Sequence, residues 1–210
     1  MTLMRGAVAM MAALMLGGCA AITSINEATQ PLDAYELRAP SEPLDVQGSL
    51  PRHLVIKTPV ASGAIDTDRI MIRPGPFQTA YLPGVRWVDT APVMMQTILV
   101  RSLSDTGALR FVGRRSLGGQ ADYMLMSELT DFQAELGPGE DTAVARIRLT
   151  ARLVREDDAT ILGTRTVETT VAIPSTEADA VVAGLDAATR SALRELSTWT
   201  LRRIGLRVAG

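Results

Sequence analysis

The chain contains one thiol and one imidazole that could take part in a reaction, because Cys19 is its only cysteine and His53 is its only histidine. Cys19 ends the stretch LMLGGC at residues 14–19, directly after two glycines. A lone cysteine cannot form a disulfide within the chain, and its thiolate is a good nucleophile. Small residues before it let the chain extend into a peptidase cleft, so the spacing predicts covalent modification of Cys19. The alternative is a free, buried cysteine close to a cleavable signal.

The residues before Cys19 have the features of a signal peptide. Arg5 supplies one positive charge, and residues 7–16 form an uncharged stretch. That stretch suits the hydrophobic region of a signal peptide and is well short of the roughly 20 residues of a membrane-spanning helix. The order LGGC at residues 16–19 resembles the bacterial lipobox. It predicts cleavage between Gly18 and Cys19, removal of residues 1–18, and a lipid on Cys19.

The residues after Cys19 predict where the lipidated chain is held. One acyl chain binds a membrane only marginally, whereas two or more attach a protein stably, and a bacterial lipoprotein carries enough of them. Ala20 and Ala21 follow Cys19, so the second mature position carries no aspartate. By similarity to the enterobacterial sorting rule, this order predicts an anchor in the outer membrane, with the chain on its periplasmic face.

Composition limits the size of the domain, the type of its core and the class of its partners. Removing residues 1–18 from the 210 leaves 192, enough for one compact domain with its own core. Apolar residues make up 47% and aromatic residues 4%, so an aliphatic core is expected. The formal charge is -2, and it becomes -3 once Arg5 is lost. Because nucleic-acid-binding proteins have a basic surplus, this balance argues against nucleic acid as a partner.

The sequence motifs of enzymes and metal sites are missing. The one lysine, Lys57, does not follow the glycines of a phosphate-binding loop, and no G-x-G-x-x-G opens a helix. His53 has no G-x-S-x-G to accompany it, and an acylated Cys19 leaves no thiol for zinc. The acidic clusters at residues 140–141 and 156–158 match no calcium loop and are interpreted as turn charge. We therefore expect no catalysis, no metal and no cofactor beyond the lipid on Cys19.

The elements along the chain divide into a tether and a domain. Residues 19–51 are rich in proline, serine and alanine and are predicted to be a flexible tether, with a short edge strand at residues 35–37. The domain is predicted to span residues 52–210. Its first half contains these predicted elements: strands near residues 53–59, 69–73, 77–88 and 110–112, and a helix from Asp89 or Thr90 to Gly107. That helix is expected to present these residues on or near one face: Val93, Gln96 or Thr97, Val100, and Leu103 or Ser104.

The second half predicts an antiparallel meander followed by a long helix. Strand candidates at residues 121–136, 142–156 and 160–173 are separated by the turns GPGED and DDA. The middle strand alternates strictly, which is typical of a sheet with one covered face. A helix of about 25 to 30 residues closes the chain, with a capping-box pattern at its start (Thr176 to Asp179) and an apolar stripe from Val181 to Trp199. The fold class is therefore α/β, with a mixed, largely antiparallel sheet and helices packed on one face.

Two groups of side chains are candidates for contacts. Arg146, Arg148 and Arg152 lie on one face of the middle strand and could meet lipid headgroups or an acidic partner, although pairing with Glu128 or Glu168 is the preferred interpretation. The aromatic residues Phe77, Tyr81 and Trp87 form the second group, because exposed aromatic side chains concentrate binding energy. Packing of these three rings in the core is equally consistent with the sequence.

Several of these features resemble one family. The lipobox and Tyr35-Glu36-Leu37 open the similarity, which is strongest over residues 68–112 and continues through LTDF at residues 129–132 to Trp199. In the strongest part, these residues occur in the family's order: Arg69-Ile70, Tyr81, Arg86-Trp87, Pro92 and Leu99. The chain resembles the ABC-type transport auxiliary lipoproteins, which accompany transporters built around mammalian-cell-entry (MCE) proteins, including the paraquat-inducible intermembrane transport systems.

The resemblance implies a fold, a function and a set of partners. The implied fold is similar to the N-terminal domain of the TolB protein. The implied function is that of a non-catalytic accessory in an MCE-type ABC system that moves lipid between the inner and outer membranes. Its implied partners are the MCE protein, the permease and the ATPase. The candidate contacts with these partners are Tyr81, Arg86 and Trp87. The resemblance also allows the protein to form a homo-oligomer. The alternatives are a lipoprotein that itself carries lipid and an envelope-integrity lipoprotein without a transporter.

Overall fold

The computed structural model describes residues 31–137 and 142–209, and the residues from Ala34 onward form one compact unit. The strands of the described residues are β1 (Asp33–Tyr35), β2 (Val46–Gln47), β3 (Leu50–Ile56), β4 (Val60–Ala61), β5 (Met71–Arg73), β6 (Ala80–Tyr81), β7 (Val85–Trp87), β8 (Leu109–Gly113), β9 (Tyr123–Leu136), β10 (Ala143–Arg155), β11 (Thr160–Ile173) and β12 (Arg207–Val208). The helices are α1 (Ala91–Ser104) and α2 (Ala178–Arg203).

One mixed sheet organises the unit, with the strand order β11-β10-β9-β3-β8. The long strand β9 pairs antiparallel with β10 along one edge. Along its other edge it pairs in parallel with three short strands in succession, first β3, then β4, then β5. The meander β9-β10-β11 is antiparallel throughout. The structure confirms the α/β class with a largely antiparallel mixed sheet.

The meander has one buried face and one open face, as the alternation predicts. In β10, the odd-numbered residues from the start of the strand to Leu153 are buried, namely Ala143, Ala145, Ile147, Leu149, Ala151 and Leu153. The even-numbered residues of the same strand are exposed or half-buried. Because the side-chain period of a strand is two residues, this pattern fixes the register of β10 against both of its neighbours.

Both helices cover the buried face. Gln96 of α1 donates a hydrogen bond from Nε2 to the carbonyl oxygen of Ile56 in β3, at 2.8 Å and out of contact with solvent. The predicted face of α1 is only partly correct: Leu103 is buried, but Val93 and Val100 are half-buried. Residues such as Met95 and Leu99 form the buried side instead, because α1 packs against β3, β8 and α2 together.

The helix α2 has the predicted length and contacts, but its start differs from the prediction. It runs for 26 residues, and its N-cap is Glu177, which makes no side-chain capping hydrogen bond. The capping box predicted from Thr176 and Asp179 is therefore not formed. Tyr35 uses Asp179 instead, donating from its hydroxyl to the carboxylate at 2.6 Å. At the start of α2, a hydrogen bond from the distant Tyr35 is therefore formed where the sequence predicted a local side-chain cap.

The close approach of α2 to β11 depends on Gly184. A Cβ atom at this position would lie 2.5 Å from Cγ1 of Ile173, which is buried in β11, and 3.6 Å from Cβ of Ala145. Gly184→Ala is expected to destabilise the fold by about 1 kcal/mol, because overpacking costs 1–3 kcal/mol and the higher helix propensity of alanine returns up to about 1. Urea denaturation measures the change.

The control is to make Gly184→Ala also in a protein that already carries Ile173→Ala, and to compare its cost in the two backgrounds. Ile173→Ala removes both Ile173 atoms that the new methyl group would meet, so Gly184→Ala should become neutral or stabilising in that background. Equal costs of Gly184→Ala in the two backgrounds would show that the helix and the strand are not in contact here.

The segment before β3 is part of the fold, and the predicted tether boundary at residue 51 is wrong. Leu37 and Leu44 are buried in the core, and β2 pairs with β12 at the end of the chain. The backbone N–H of Arg38 donates to the buried carboxylate of Asp186 in α2 at 2.8 Å. Leu37 and Leu44 belong to no periodic pattern, and this segment is held in the fold by residues that are far away in the sequence. The part of the predicted tether at residues 19–30 lies outside the described residues.

Candidate functional site

The predicted anchor, Cys19, and the predicted cleavage position after Gly18 lie outside the described residues. Within residues 31–137 and 142–209, neither helix is long and apolar enough to cross a membrane. The lipid on Cys19 therefore stays a prediction from the sequence.

Trp87 is a core residue, which corrects its prediction as a partner contact. Its side chain has no exposed surface, and its ring lies 5.7 Å from that of Phe132 in β9, measured between centroids. Its backbone N–H donates to the carbonyl oxygen of Asp68 at 2.7 Å. A partner could reach this indole only by opening the core. Trp87 therefore holds β7 against the sheet.

Tyr81 and Arg86, the other two predicted contacts, are half-buried and have partners within the chain. The Tyr81 hydroxyl donates to the carbonyl oxygen of Ala64 at 3.2 Å, and the guanidinium carbon of Arg69 lies 5.7 Å from the centre of the Tyr81 ring. Arg86 lies 3.6 Å from a carboxylate oxygen of Asp68. These contacts brace the loop between β4 and β5, and a role of either residue in partner binding stays a prediction.

Phe77 is the exposed aromatic side chain of the cluster, with 99% of its surface accessible. It lies in the turn between β5 and β6, next to Pro76. The same turn borders a shallow depression of about 430 Å³ that Glu135 lines from the end of β9. The structure thus splits the predicted aromatic cluster into one buried, one half-buried and one exposed ring.

His53 has a structural environment. Its ring meets Phe111 of the neighbouring strand edge-on, with centroids 5.8 Å apart. The carboxylate of Asp122 accepts the backbone N–H of His53 at 2.7 Å, together with a hydrogen bond from the Arg52 guanidinium at 2.7 Å. The carboxylate is therefore used to join β3 to the loop before β9. No group of three or more potential metal ligands occurs in the described part of the chain.

The Asp122 carboxylate should make stability depend on pH. Partial burial tends to raise the pKa of Asp122, but hydrogen bonds from the His53 backbone and from Arg52 outweigh burial and hold that pKa below its ordinary value. A lowered folded-state pKa stabilises the fold above the unfolded pKa, and this contribution is lost as pH falls through the folded pKa. Urea midpoints of the wild type should therefore fall below about pH 4.

Asp122→Asn separates this contribution from general acid unfolding. The variant should be less stable at neutral pH and should lose less of its stability between about pH 4 and pH 2 than the wild type. If the wild type and Asp122→Asn lose stability in parallel over this range, the carboxylate has no such role.

The arginine stripe on the open face of β10 is largely paired with carboxylates. Arg146 lies between Glu135 and Glu168, at 2.9 and 2.6 Å, and Arg148 lies 3.6 Å from Glu168. The hydrogen bond that Arg146 donates to the Glu135 carboxylate raises the pKa of Arg146. Burial tends to raise the pKa of Glu135, but hydrogen bonds from Arg146 and Gln133 outweigh it and lower that pKa. The structure confirms pairing with Glu168 and puts Glu135 where the sequence suggested Glu128. Arg152 is exposed on the same face.

A groove along the last turns of α2 was not predicted from the sequence. Its volume is about 440 Å³, and it is lined by Arg165 of β11 and, from α2, by Ser191, Arg194, Glu195, Thr198, Trp199 and Arg202. The α2 residues follow one another at helical spacing and form one stripe beside the sheet edge. We call this feature the α2 groove. Trp199 was assigned to the apolar stripe of the helix from its spacing, and Arg165 comes from a separate strand, so no local motif in the sequence marks this groove.

The strand β11 lies close to the α2 groove at Gly163. Gly163 lies so close to Trp199 that a Cβ atom there would approach the indole ring to 3.3 Å. The register of β11 on β10 shifts at this point, and Arg203 donates from Nε to the carbonyl oxygen of Leu162 at 2.6 Å. The glycine therefore lets the side chains of Trp199 and Arg203 approach the strand backbone closely.

The α2 groove has a surplus of positive charge. Arg165 pairs with Glu195, the only acidic residue of the lining, at 2.6 Å. Arg194 and Arg202 donate to main-chain carbonyl oxygens instead, those of Glu42 at 3.4 Å and Val208 at 3.0 Å. Neither of these two cations has a carboxylate at ion-pair distance among the described residues. The groove thus combines an indole with two cations that keep donors free.

Comparison with known families decides what kind of protein carries these features. Residues 35–197 match the model of the ABC-type transport auxiliary lipoprotein component. The chain belongs to this family. The matched range begins at Tyr35, in agreement with the structure, where the folded unit also begins before the predicted boundary.

Relatives of this auxiliary lipoprotein agree with its fold. A solved structure of a Xanthomonas campestris protein of the DUF330 family has 27% sequence identity and a TM-score of 0.73, covering 81% of this chain and 95% of that one. A second solved structure, of an uncharacterized protein, has 13% identity and a TM-score of 0.65, covering 81% and 99%, and shows the same fold.

A curated relative differs in length. An uncharacterized protein of Bradyrhizobium diazoefficiens is 29% identical over 167 residues, which are 80% of this chain and 44% of that protein. The chain thus spans less than half the length of this relative.

Proposed function

We propose that this auxiliary lipoprotein is a non-catalytic accessory of an MCE-type ABC system that moves lipid between the inner and outer membranes. Family membership over residues 35–197 is the observation that carries the proposal. In this role the chain is anchored in the outer membrane through a lipid on Cys19 and presents its domain to a periplasmic assembly. The MCE protein, the permease and the ATPase are its partners, and ATP hydrolysis belongs to the ATPase.

The environments of the chemically active side chains support a role without catalysis. His53 packs on Phe111, and the Asp122 carboxylate joins two segments of the chain. On the open sheet face, the carboxylates of Glu135 and Glu168 are paired with Arg146 and Arg148. Each of these groups has a structural partner, so binding is the activity that the described surface supports best.

Direct carriage of lipid by this domain is less well supported. An acyl chain would need space between the sheet and the helices, and side chains fill the interface where α2 crosses β10 and β11. Gly184, Ala145 and Ile173 approach one another there so closely that a single added methyl group would overlap Ile173. Phospholipid recovered with the pure, detergent-free domain would nevertheless favour a carrier role.

A genetic experiment tests the accessory role. Strains that lack this protein, the MCE protein or both should show the same defect in outer-membrane phospholipid composition and detergent sensitivity, because the two proteins act in one route. The wild-type gene should correct the single deletion, and a Cys19→Ser gene should fail to do so. Defects that add up in the double deletion would contradict the proposal and favour an envelope role without a transporter.

A further inference from the structure

The outer edge of the sheet is open along β11. This strand of 14 residues pairs with β10 on one side, and no other strand of the described sheet pairs with it. Residues 160–173 contain no proline, and Arg165 and Glu168 are their only charged residues. Proteins usually protect such a long edge with prolines, charges or a covering segment, and unprotected edges pair with added strands. The start of β11 is bulged, and the carbonyl oxygen of Leu162 accepts a hydrogen bond from Arg203. The edge from Gly163 onward is therefore the part available to an extended segment.

The α2 groove lies directly beside this edge. Arg165 belongs to both features, and Trp199 lies against the β11 backbone at Gly163. A segment paired with β11 would therefore run past the indole ring and past Arg194 and Arg202. Edge pairing provides main-chain hydrogen bonds, while the groove selects side chains by charge and by apolar contact.

We infer that the β11 edge and the α2 groove bind an extended, acidic segment of a protein partner. Arg194 and Arg202 have donors available for carboxylates, and arginine binds carboxylates through two parallel hydrogen bonds. Trp199 offers the half-buried aromatic surface that interfaces favour at their centre. This inference rests on the proposed function, since it takes the occupant to be a protein of the transport assembly, and it specifies where and by what chemistry that protein docks.

The position of the groove favours a protein segment over the membrane that holds the anchor. The folded unit begins at Ala34, and Tyr35 contacts Asp179 in the first turn of α2. Residues 191–202 line the groove 12 to 23 positions further along the same helix. At 1.5 Å per residue, the groove lies about 18–35 Å from the point where the chain enters the unit. It is thus at the end of α2 opposite to the contact between Tyr35 and Asp179.

Fluorescence polarisation with a labelled peptide tests the inference on the full-length lipidated protein in detergent. The probe is a fluorescein-labelled peptide of about ten residues that alternates valine or threonine with glutamate. This length is at the upper end of the usual range for strands and is shorter than the 14 residues of β11. Its counterpart carries lysine at every glutamate position. The acidic peptide should bind, and the lysine peptide should bind at least about tenfold more weakly. Raising the salt concentration should weaken the binding of the acidic peptide.

Three variants locate the binding. Arg194→Glu/Arg202→Glu should weaken the acidic peptide at least about tenfold, and Trp199→Ala about fivefold. Arg110→Glu/Arg115→Glu is the matched control, because it makes the same charge change at exposed arginines of β8 and the loop after it, at the opposite end of the sheet. The control should bind within about twofold of the wild type. Circular dichroism verifies that each variant is folded.

Several results would overturn the inference: no binding of the acidic peptide, equal binding of both peptides, or undiminished binding by Arg194→Glu/Arg202→Glu. A different pair of results would assign the groove to a membrane surface. In that case the wild type would bind phosphatidylglycerol vesicles but no peptide, and Arg194→Glu/Arg202→Glu would lose the binding to vesicles. None of these results depends on recovering a transporter, so the docking site and the proposed function fail independently.

Discussion

Cys19→Ser should abolish lipid attachment completely. The serine hydroxyl is a much weaker nucleophile than the thiolate, and the chain has no other cysteine that could accept the lipid. Growth with an alkyne-labelled fatty acid should label the wild-type protein and leave the variant unlabelled. Mass spectrometry should find the wild-type mature chain beginning at Cys19 with its lipid, and the variant as an unprocessed precursor that retains residues 1–18.

Ala20→Asp is the control that separates lipidation from sorting. It leaves Cys19 in place, so labelling should equal that of the wild type. By the sorting rule, an aspartate at the second mature position should shift the protein from the outer-membrane to the inner-membrane fraction. A Cys19→Ser protein that still carries label, or a wild type without label, would refute the lipoprotein prediction. Labelled Ala20→Asp in the outer-membrane fraction would show that this bacterium does not follow the rule.

Trp87→Ala should be among the most destabilising single substitutions in the domain. Truncating a fully buried large aromatic side chain typically costs about 3–5 kcal/mol, because it removes buried apolar surface and leaves a cavity. Trp87 has no exposed surface and packs on Phe132, so the full cost is expected. Domains of this size are stable by only about 5–15 kcal/mol, so the variant should lose a large part of its stability. Urea denaturation followed by circular dichroism measures the loss.

Phe77→Ala provides the matched control for this prediction. Both substitutions remove an aromatic side chain from the same region of the chain, but Phe77 is 99% exposed. Its truncation should change stability by no more than about 0.5 kcal/mol, as for most surface positions. Similar losses for Phe77→Ala and Trp87→Ala would contradict the burial of the tryptophan and restore it as a candidate contact.

The regular elements were predictable from the sequence because their signals are local. Strict alternation identified the middle strand of the meander, and turn residues marked the limits of its neighbours. The strands β9, β10 and β11 lie within two residues of the predicted bounds. Helical spacing likewise identified α2 and the meander as its packing surface. These patterns repeat over more than ten residues, so a few exceptions do not hide them.

The remaining features depend on contacts between distant parts of the chain. Leu37 and Leu44 stand among polar residues, and only the core formed by α2 and its neighbours explains why they are buried. Trp87 could have been on either side of a short strand until β7 was placed against Phe132. The α2 groove joins residues from a strand and a helix about 30 positions apart, and its side chains show no local motif. Candidate contacts therefore required the structure, whereas the anchor at Cys19 is a prediction that rests on the sequence alone.

The measurement that tests the account most directly is the affinity purification of this lipoprotein from crosslinked, detergent-solubilised membranes, with the partners identified by mass spectrometry. The account predicts recovery of an MCE protein together with its permease and ATPase. Arg194→Glu/Arg202→Glu, compared with Arg110→Glu/Arg115→Glu, reports whether the α2 groove contributes to that recovery. Recovery of the lipoprotein alone, or only with cell-wall proteins, would contradict a role as a transporter accessory.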